Sequence, residues 1–149
     1  MLVLGSDHGG YELKTEILLL LQEKSIKYTD LGTDGPASVD YPDFAAKVAR
    51  AVSSGEAELG ILICGTGIGM SISANKFPGV RAALVHDEFT AQMAREHNNA
   101  NILVMGGRVL TPEQGKRLVE IWLDTEFEGG RHQKRLDKIS AIEQKVIKD

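Results

Sequence analysis

The segment Leu59–Cys64 limits the possible folds of this chain more than any other, because five of its six residues are apolar. A strand that is apolar on both faces is typical of the centre of a parallel sheet covered by helices. The glycine-rich segment 65–69 follows directly and suits a tight turn into a short helix. The sequence therefore predicts an α/β fold built around this strand.

Strand and helix patterns alternate along the chain. Helix starts carry recognisable signals: Pro42 suits a first turn, Asp87 is a predicted N-cap, and Thr111 with Gln114 forms a predicted capping box. The other predicted strands are Leu2–Ser6, 26–31, 80–85 and 101–105. The predicted helices are 11–24, 42–52, 87–96, 111–122 and Arg131–Lys148, besides the short helix near Gly69.

This order predicts a three-layer, doubly wound, Rossmann-like fold with a five-stranded parallel sheet and helices on both faces. No internal repeat or linker-like stretch interrupts it, so we expect a single domain over residues 1–149. The last helix, Arg131–Lys148, follows the completed sheet and has only a narrow apolar stripe. Its pattern fits packing on its own domain or docking on a second subunit.

Composition excludes several classes of protein. The chain has 17 Lys plus Arg against 21 Asp plus Glu, a net charge of -4, which excludes a general nucleic-acid binder. Cys64 is the only cysteine, so no intrachain disulfide can form and a reducing cytoplasm is expected. No apolar run is long enough to span a bilayer, and the N-terminus lacks the basic and apolar order of a signal peptide. We expect neither a membrane nor a nucleic-acid partner.

Ligands of an open parallel sheet bind outside the carboxyl ends of its strands. Polar or glycine-rich residues follow four of the predicted strands. Asp7 and His8 follow the first strand, the 65–69 loop follows the central one, His86 and Asp87 follow the fourth, and 106–108 follows the fifth. The sequence therefore predicts a binding site at this edge of the sheet.

The 65–69 loop matches none of three common phosphate loops. Met70 stands where a dinucleotide fingerprint needs its third glycine and where a cysteine phosphatase loop needs arginine, and no lysine follows as in a Walker loop. Three glycines would still let backbone N–H groups approach an anion closely, beside the start of a short helix. The alternative is a plain strand-to-helix turn.

Three side chains are candidates for proton transfer. Cys64 adjoins the loop and would act as nucleophile or general base, or else fill the core, and its position leaves both open. His97 with Asn98 suits a general acid, although a lone histidine at a helix end more often stabilises the helix dipole. His8 beside Asp7 is better placed. The four histidines are scattered without the one-turn spacing of a helical metal pair.

Arg131 and Arg135 lie four residues apart at the start of the last predicted helix and therefore share a face. Two guanidinium groups there, after Gly129 and Gly130, suit a phosphate. The alternative is a solvated basic face, since lysines lie nearby.

Six segments together resemble the type B ribose-5-phosphate isomerases, in the superfamily that includes the galactose-6-phosphate isomerase subunits. They span nearly the whole chain in order, and those around Cys64 and Arg131 are the most specific. The segments are 5–10, 40–42, 60–72, 74–76, 95–98 and 128–133.

The resemblance implies interconversion of ribose 5-phosphate and ribulose 5-phosphate through an enediolate, in the pentose phosphate pathway. It implies a homodimer without metal or organic cofactor, so we expect the last helix to dock on a partner subunit, and tetramers stay open. Cys64 would move the proton between C1 and C2, and His97 would be the proton donor. The substrate-binding positions would be Asp7, His8, Gly65, Thr66, Gly67, Ile68, Gly69, Asn98, Arg108, Arg131 and Arg135.

Two other functions are compatible with parts of the pattern. One is isomerisation of a six-carbon sugar phosphate, such as allose or galactose 6-phosphate, which uses the same chemistry on a longer sugar. The other is a non-catalytic nucleotide-binding module of the same sheet type, which the mismatches of the 65–69 loop disfavour.

Overall fold

The computed structural model describes residues 1–148, in which parallel strands alternate with helices. None of the described helices is both long and apolar enough to cross a membrane. The strands are β1 (Leu2–Ser6), β2 (Tyr28–Asp30), β3 (Leu59–Cys64), β4 (Ala82–Leu84) and β5 (Ile102–Gly106). The helices are α1 (Tyr11–Glu23), α2 (Tyr41–Ser53), α3 (Ile68–Ala74), α4 (Glu88–Glu96), α5 (Pro112–Asp124) and α6 (Arg131–Lys148).

The five strands form one parallel sheet in the order β2-β1-β3-β5-β4. This confirms the predicted sheet and the central position of β3. Ser6 of β1 pairs with Ile63, and Cys64 pairs with Gly106 of β5. The strand order reverses between β1 and β3, so this sheet has its ligand-binding crevice where those two strands end.

Alternate residues of β3 serve two cores because successive side chains of a strand point to opposite faces. Ile61 and Ile63 join the cluster beneath α1 and α5, which contains the fully buried Trp122. Leu62 and Cys64 join the cluster beneath α2 and α3. Each fully buried isoleucine or leucine contributes about 1.5–3 kcal/mol relative to an exposed one, so both layers hold β3 firmly.

The edge strands are shorter than the sequence predicts. The N–H of Ile26 donates to Leu21 O and so belongs to the turn that ends α1, and the N–H of Val80 donates to Phe77 O in a turn after α3. Edge strands have a ladder partner on one side only. The apolar pattern therefore predicted both edge strands to be longer than they are.

Both predicted helix caps are confirmed. The N–H of Thr90 donates to Asp87 Oδ1 at 2.8 Å. The N–H of Gln114 donates to Thr111 Oγ1 at 3.2 Å, and the N–H of Thr111 donates to Gln114 Oε1 at 2.9 Å.

Helix α6 packs on its own chain only in part. His132 and Leu136 are buried, and Glu143 accepts a hydrogen bond from the N–H of Gly79 at 2.9 Å. The other large apolar side chains of α6 are at least half exposed. They are Ile139, Ile142, Val146 and Ile147. Docking of this helix on a second subunit stays a prediction, which the exposed apolar side chains favour.

Candidate active site

A cavity of about 420 Å³ opens where β1, β3 and β5 end. Its position at the reversal of strand order is the one expected for a ligand site in this fold. The lining residues come from four segments of the chain. They are Asp7, Tyr41, Cys64, Gly65, Thr66, Ile68, Gly69, Ile72 and Arg108.

The thiol of Cys64 faces both the core and this cavity. Its side chain packs in the cluster beneath α2 and α3, and the residue is 5% exposed. Its Sγ accepts a hydrogen bond from the N–H of Gly67 at 3.2 Å. This contact holds the sulfur beside the loop that lines the cavity.

Glycine is the one residue type that fits at position 67 of the loop. Its φ is +84°, in the left-handed region, and an added Cβ would lie 2.4 Å from Leu84 Cδ1. The same Cβ would lie 3.1 Å from the carbonyl oxygen of Met105. Glycine therefore lets the loop turn tightly enough to bring its N–H onto Cys64.

Other N–H groups of the loop remain available to a ligand. The N–H of Ile68 is not one of them, because it donates to Thr66 Oγ1 at 3.2 Å. Within residues 1–148, the N–H groups of Thr66 and Gly69 donate to no protein acceptor. Fixed donors of this kind stabilise an oxyanion without reorganising solvent.

Asp7 and His8 are held by the loop that follows β1. Asp7 is buried, and its Oδ1 accepts hydrogen bonds from the N–H groups of Gly9 at 2.8 Å and Gly10 at 3.2 Å. The Nδ1 of His8 accepts from the N–H of Val39 at 3.2 Å, which assigns the proton of a neutral ring to Nε2. Asp7 lines the cavity, with His8 adjacent to it in the chain.

Arg108 brings a positive charge to the same cavity. Its backbone N–H donates to Gly65 O at 2.9 Å, and the N–H of Gly107 donates to Cys64 O at 2.7 Å. A Cβ on Gly65 would lie 3.1 Å from Arg108 Nη1, so the guanidinium packs on the bare backbone of the loop. The cavity thus combines a thiol, unpaired N–H donors, a carboxylate and a guanidinium.

The other predicted site residues lie at the opposite edge of the sheet. Helix α4 runs back from the carboxyl edge, and His97 follows its last residue. Beyond it, Asn101 O accepts a hydrogen bond from the N–H of Gly60 at the start of β3. From Gly60 to Cys64 the strand rises about 13 Å. One chain therefore holds two separate groups of predicted residues, with His97, Asn98, Arg131 and Arg135 outside the cavity lining.

Arg95 fixes the turn that carries His97 and Asn98. Its Nη1 donates to Asn99 Oδ1 at 3.1 Å and to Ala100 O at 2.7 Å. Asn99 has a φ of +45°, a left-handed conformation that asparagine tolerates better than most residues. The half-buried Arg95 thus holds the turn in one shape.

The side chain of His97 stacks on that of His132. The ring centroids are 4.2 Å apart and the planes differ by 13°. Glu128 Oε2 lies 3.3 Å from His132 Nε2. A hydrogen bond from the Glu96 side chain lowers the pKa of Glu128 most, and the nearby charges of His132 and His97 lower it further, while desolvation opposes them.

His97, Glu128 and His132 offer ligand atoms within 4.8 Å of one another, the spacing of a possible metal site. A metal ion needs the in-plane lone pairs of its histidines to converge on one point. Two rings only 13° from parallel direct those lone pairs side by side. The arrangement therefore fits a stacked pair better than a metal site.

Sequence reasoning missed the approach of His132 to His97 and gave Tyr41 no role. The two histidines are 35 positions apart, so no local spacing could reveal their contact. Tyr41 lies in the 40–42 segment of the resemblance, which was the available signal for a cavity residue.

The model of the Ribose/Galactose Isomerase family matches residues 2–139. This chain belongs to that family. It is 48% identical over 141 residues to ribose-5-phosphate isomerase B of Escherichia coli, covering 95% of each chain. The resemblance seen in the sequence motifs is confirmed.

Two solved structures of family members show the same fold. Ribose-5-phosphate isomerase B of Clostridium thermocellum superposes with a TM-score of 0.95 at 53% identity, over 97% of this chain and 98% of that one. The enzyme from Mycoplasma genitalium with bound ribulose 5-phosphate gives 0.92 at 46% identity, over 96% and 95%. These matches confirm the predicted fold class.

Proposed function

We propose that this isomerase interconverts D-ribose 5-phosphate and D-ribulose 5-phosphate through an enediolate. The observation that supports it most is the hydrogen bond from Gly67 to Cys64 Sγ inside the cavity where β1 and β3 end. The relatives named ribose-5-phosphate isomerase B point to the same substrate pair.

The reaction must remove a proton from carbon beside a carbonyl, which is a very weak acid. After the sugar ring opens, the thiolate of Cys64 takes the proton from C2 and the electrons move onto the carbonyl oxygen. The N–H groups of the 65–69 loop stabilise that oxyanion, a contribution of about 3–4 kcal/mol per donor in such sites. Cys64 then returns the proton to C1, and the hydroxyl proton on O2 passes to O1. The product of these two transfers is the ketose.

His97 would donate the proton that opens the ring, and Arg131 with Arg135 would bind the phosphate. Binding energy at the phosphate holds the reacting carbons in place. These three residues lie at the amino edge of the sheet, which is the edge where its strands begin. We therefore propose that each site combines Cys64 of one subunit with the amino-edge residues of a second copy.

Exposed apolar side chains support this two-subunit site. Ile68 and Ile72 beside the cavity are 54% and 60% exposed, and Tyr41 is 40% exposed. Ile142 and Val146 of α6 are 65% and 70% exposed. Covering both surfaces in a twofold dimer would bury them. We place this dimer in the cytoplasm, consistent with its one free cysteine.

Mixing two inactive variants tests the shared site. Cys64→Ala and His97→Asn homodimers each lack one required group at every site. After subunit exchange, half of the dimers are hybrids with one intact site, so about a quarter of wild-type activity should return. No recovery in a mixture shown by mass spectrometry to contain hybrids would refute the shared site.

The substrate is tested by specificity constants measured side by side. We expect kcat/KM for ribose 5-phosphate to exceed that for allose 6-phosphate and galactose 6-phosphate. The six-carbon alternative rests on the family description, which includes galactose isomerases. A higher value on either six-carbon sugar would replace the proposed substrate while keeping the chemistry.

A further inference from the structure

We propose that His132 is a positioning residue whose flat ring fixes the orientation of the His97 imidazole. The inference rests on the proposed function, in which His97 supplies the proton for ring opening. It assigns a role in that reaction to a buried side chain that does not line the Cys64 cavity.

The first support is the stacking geometry. The two rings lie 13° from parallel with centroids 4.2 Å apart, which is close contact between faces. His97 is half-buried at the end of α4, where its ring would otherwise rotate about χ1 and χ2. A flat neighbour limits that rotation to orientations parallel to its own face.

The second support is the fixed position of His132 itself. The residue is 5% exposed on the first turn of α6, and its N–H donates to Gly129 O at 3.0 Å. Within the described residues, its Nε2 has no partner in hydrogen-bond geometry, although Glu128 Oε2 lies 3.3 Å away. A buried polar nitrogen is costly without a partner, so the carboxylate of Glu128 favours this one placement of the ring.

The third support is the anchoring of both helices to each other. The N–H of Glu128 donates to Glu96 O at 3.0 Å, directly before His97. The segment leading into α6 is therefore bonded to the end of α4, and the two imidazoles are carried by parts of the chain that move together. His132 can thus hold His97 within the small angular range that proton transfer requires.

The test compares His132→Leu with His132→Phe. Both substitutions fill the buried space with apolar atoms and remove the contact with Glu128, but only phenylalanine offers a flat face. For ribose 5-phosphate we expect His132→Leu to lower kcat about 10- to 100-fold with KM within about twofold. His132→Phe should stay within about threefold of wild type. Glu23→Ala, at an exposed residue that ends α1, is the control.

A readout independent of activity separates this inference from the proposed function. Nuclear magnetic resonance of the His97 ring should show one fixed orientation in the wild type and in His132→Phe, and rotational averaging in His132→Leu. Equal kcat values for the leucine and phenylalanine variants, or an unchanged His97 signal in His132→Leu, would overturn the positioning role. If the wild type does not isomerise ribose 5-phosphate, the proposed function fails, while the resonance experiment still decides the orientation of His97.

Discussion

Cys64 and His97 lie at opposite edges of the same sheet. Cys64 is the last residue of β3, and His97 ends the helix that returns the chain to the start of β5. About 13 Å of strand separates the two edges, and His97 does not line the cavity that contains Cys64. The fold therefore separates the proposed proton acceptor from the proposed proton donor within each chain, and the proposed association of two chains would reunite them.

Replacing Cys64 by alanine should slow proton transfer steeply while leaving the fold intact. General-base groups contribute about 10²- to 10⁴-fold to such reactions, so we expect kcat to fall by this factor. The thermal melt should move little, because alanine is also a small apolar residue at this buried position. Steady-state assays and circular dichroism check both expectations, and near-normal turnover would remove Cys64 from the mechanism.

Replacing Gly67 by alanine should damage the loop beyond the cost of its backbone conformation. The new Cβ would collide with Leu84 and crowd Met105, which moves the N–H away from Cys64. The same shift would misplace the neighbouring N–H groups that are proposed to bind the oxyanion, and loss of one oxyanion donor lowers kcat by about 10²- to 10³-fold. The matched control is Gly55→Ala, with a φ of +86° and no atom within 4 Å of the added Cβ. Equal kcat values for the two variants would show that the loop geometry does not matter.

The sequence predicted the sheet because apolar runs and turn residues are local signals. The run Leu59–Cys64 identified the central strand, and Asp87 and Thr111 identified two helix starts. The short edge strands were overestimated because tertiary hydrogen bonds decide where a ladder stops. Lys14, which is 1% exposed on the core-facing side of α1, was also beyond prediction. Its Nζ lies 2.7 Å from Asp30 Oδ1, a partner 16 positions away.

The sequence predicted more of the arrangement of the Cys64 cavity than of the group at the amino edge, which contains His97. Asp7 and Arg108 follow strands and Cys64 ends one, and the rule for parallel sheets brings strand ends together. The contact of His97 with His132 depends on how α6 returns to the end of α4, for which the sequence contains no local pattern. The motifs of the family named residues of both groups but did not show that the sheet separates them.

Removing the hydroxyl of Thr111 should weaken the start of α5. The hydroxyl accepts from the N–H of Gln114, one of the four N–H groups that a helix leaves without an internal partner. Thr111→Ala should lower the free energy of unfolding by about 1 kcal/mol, and Thr111→Ser should restore it. Urea unfolding measures the difference, and equal stability of the alanine and serine variants would contradict the cap.

The cap at Asp87 should make part of the stability depend on pH. The backbone hydrogen bond from Thr90, followed by its side-chain hydrogen bond, lowers the pKa of Asp87 below its ordinary value of 3.8. The folded state thus binds this proton less readily than the unfolded chain, so the contribution is complete above the unfolded pKa. It is lost as the pH falls through the lower folded value.

The substitution Asp87→Asn isolates this contribution because asparagine also caps helices but carries no charge. We expect the wild type to be the more stable protein at pH 6, and the difference to shrink as the pH falls below about 4. Urea midpoints of both proteins, measured at pH 6 and pH 3, provide the comparison. A difference that stays constant between the two pH values would show that the charge of Asp87 does not contribute to the cap.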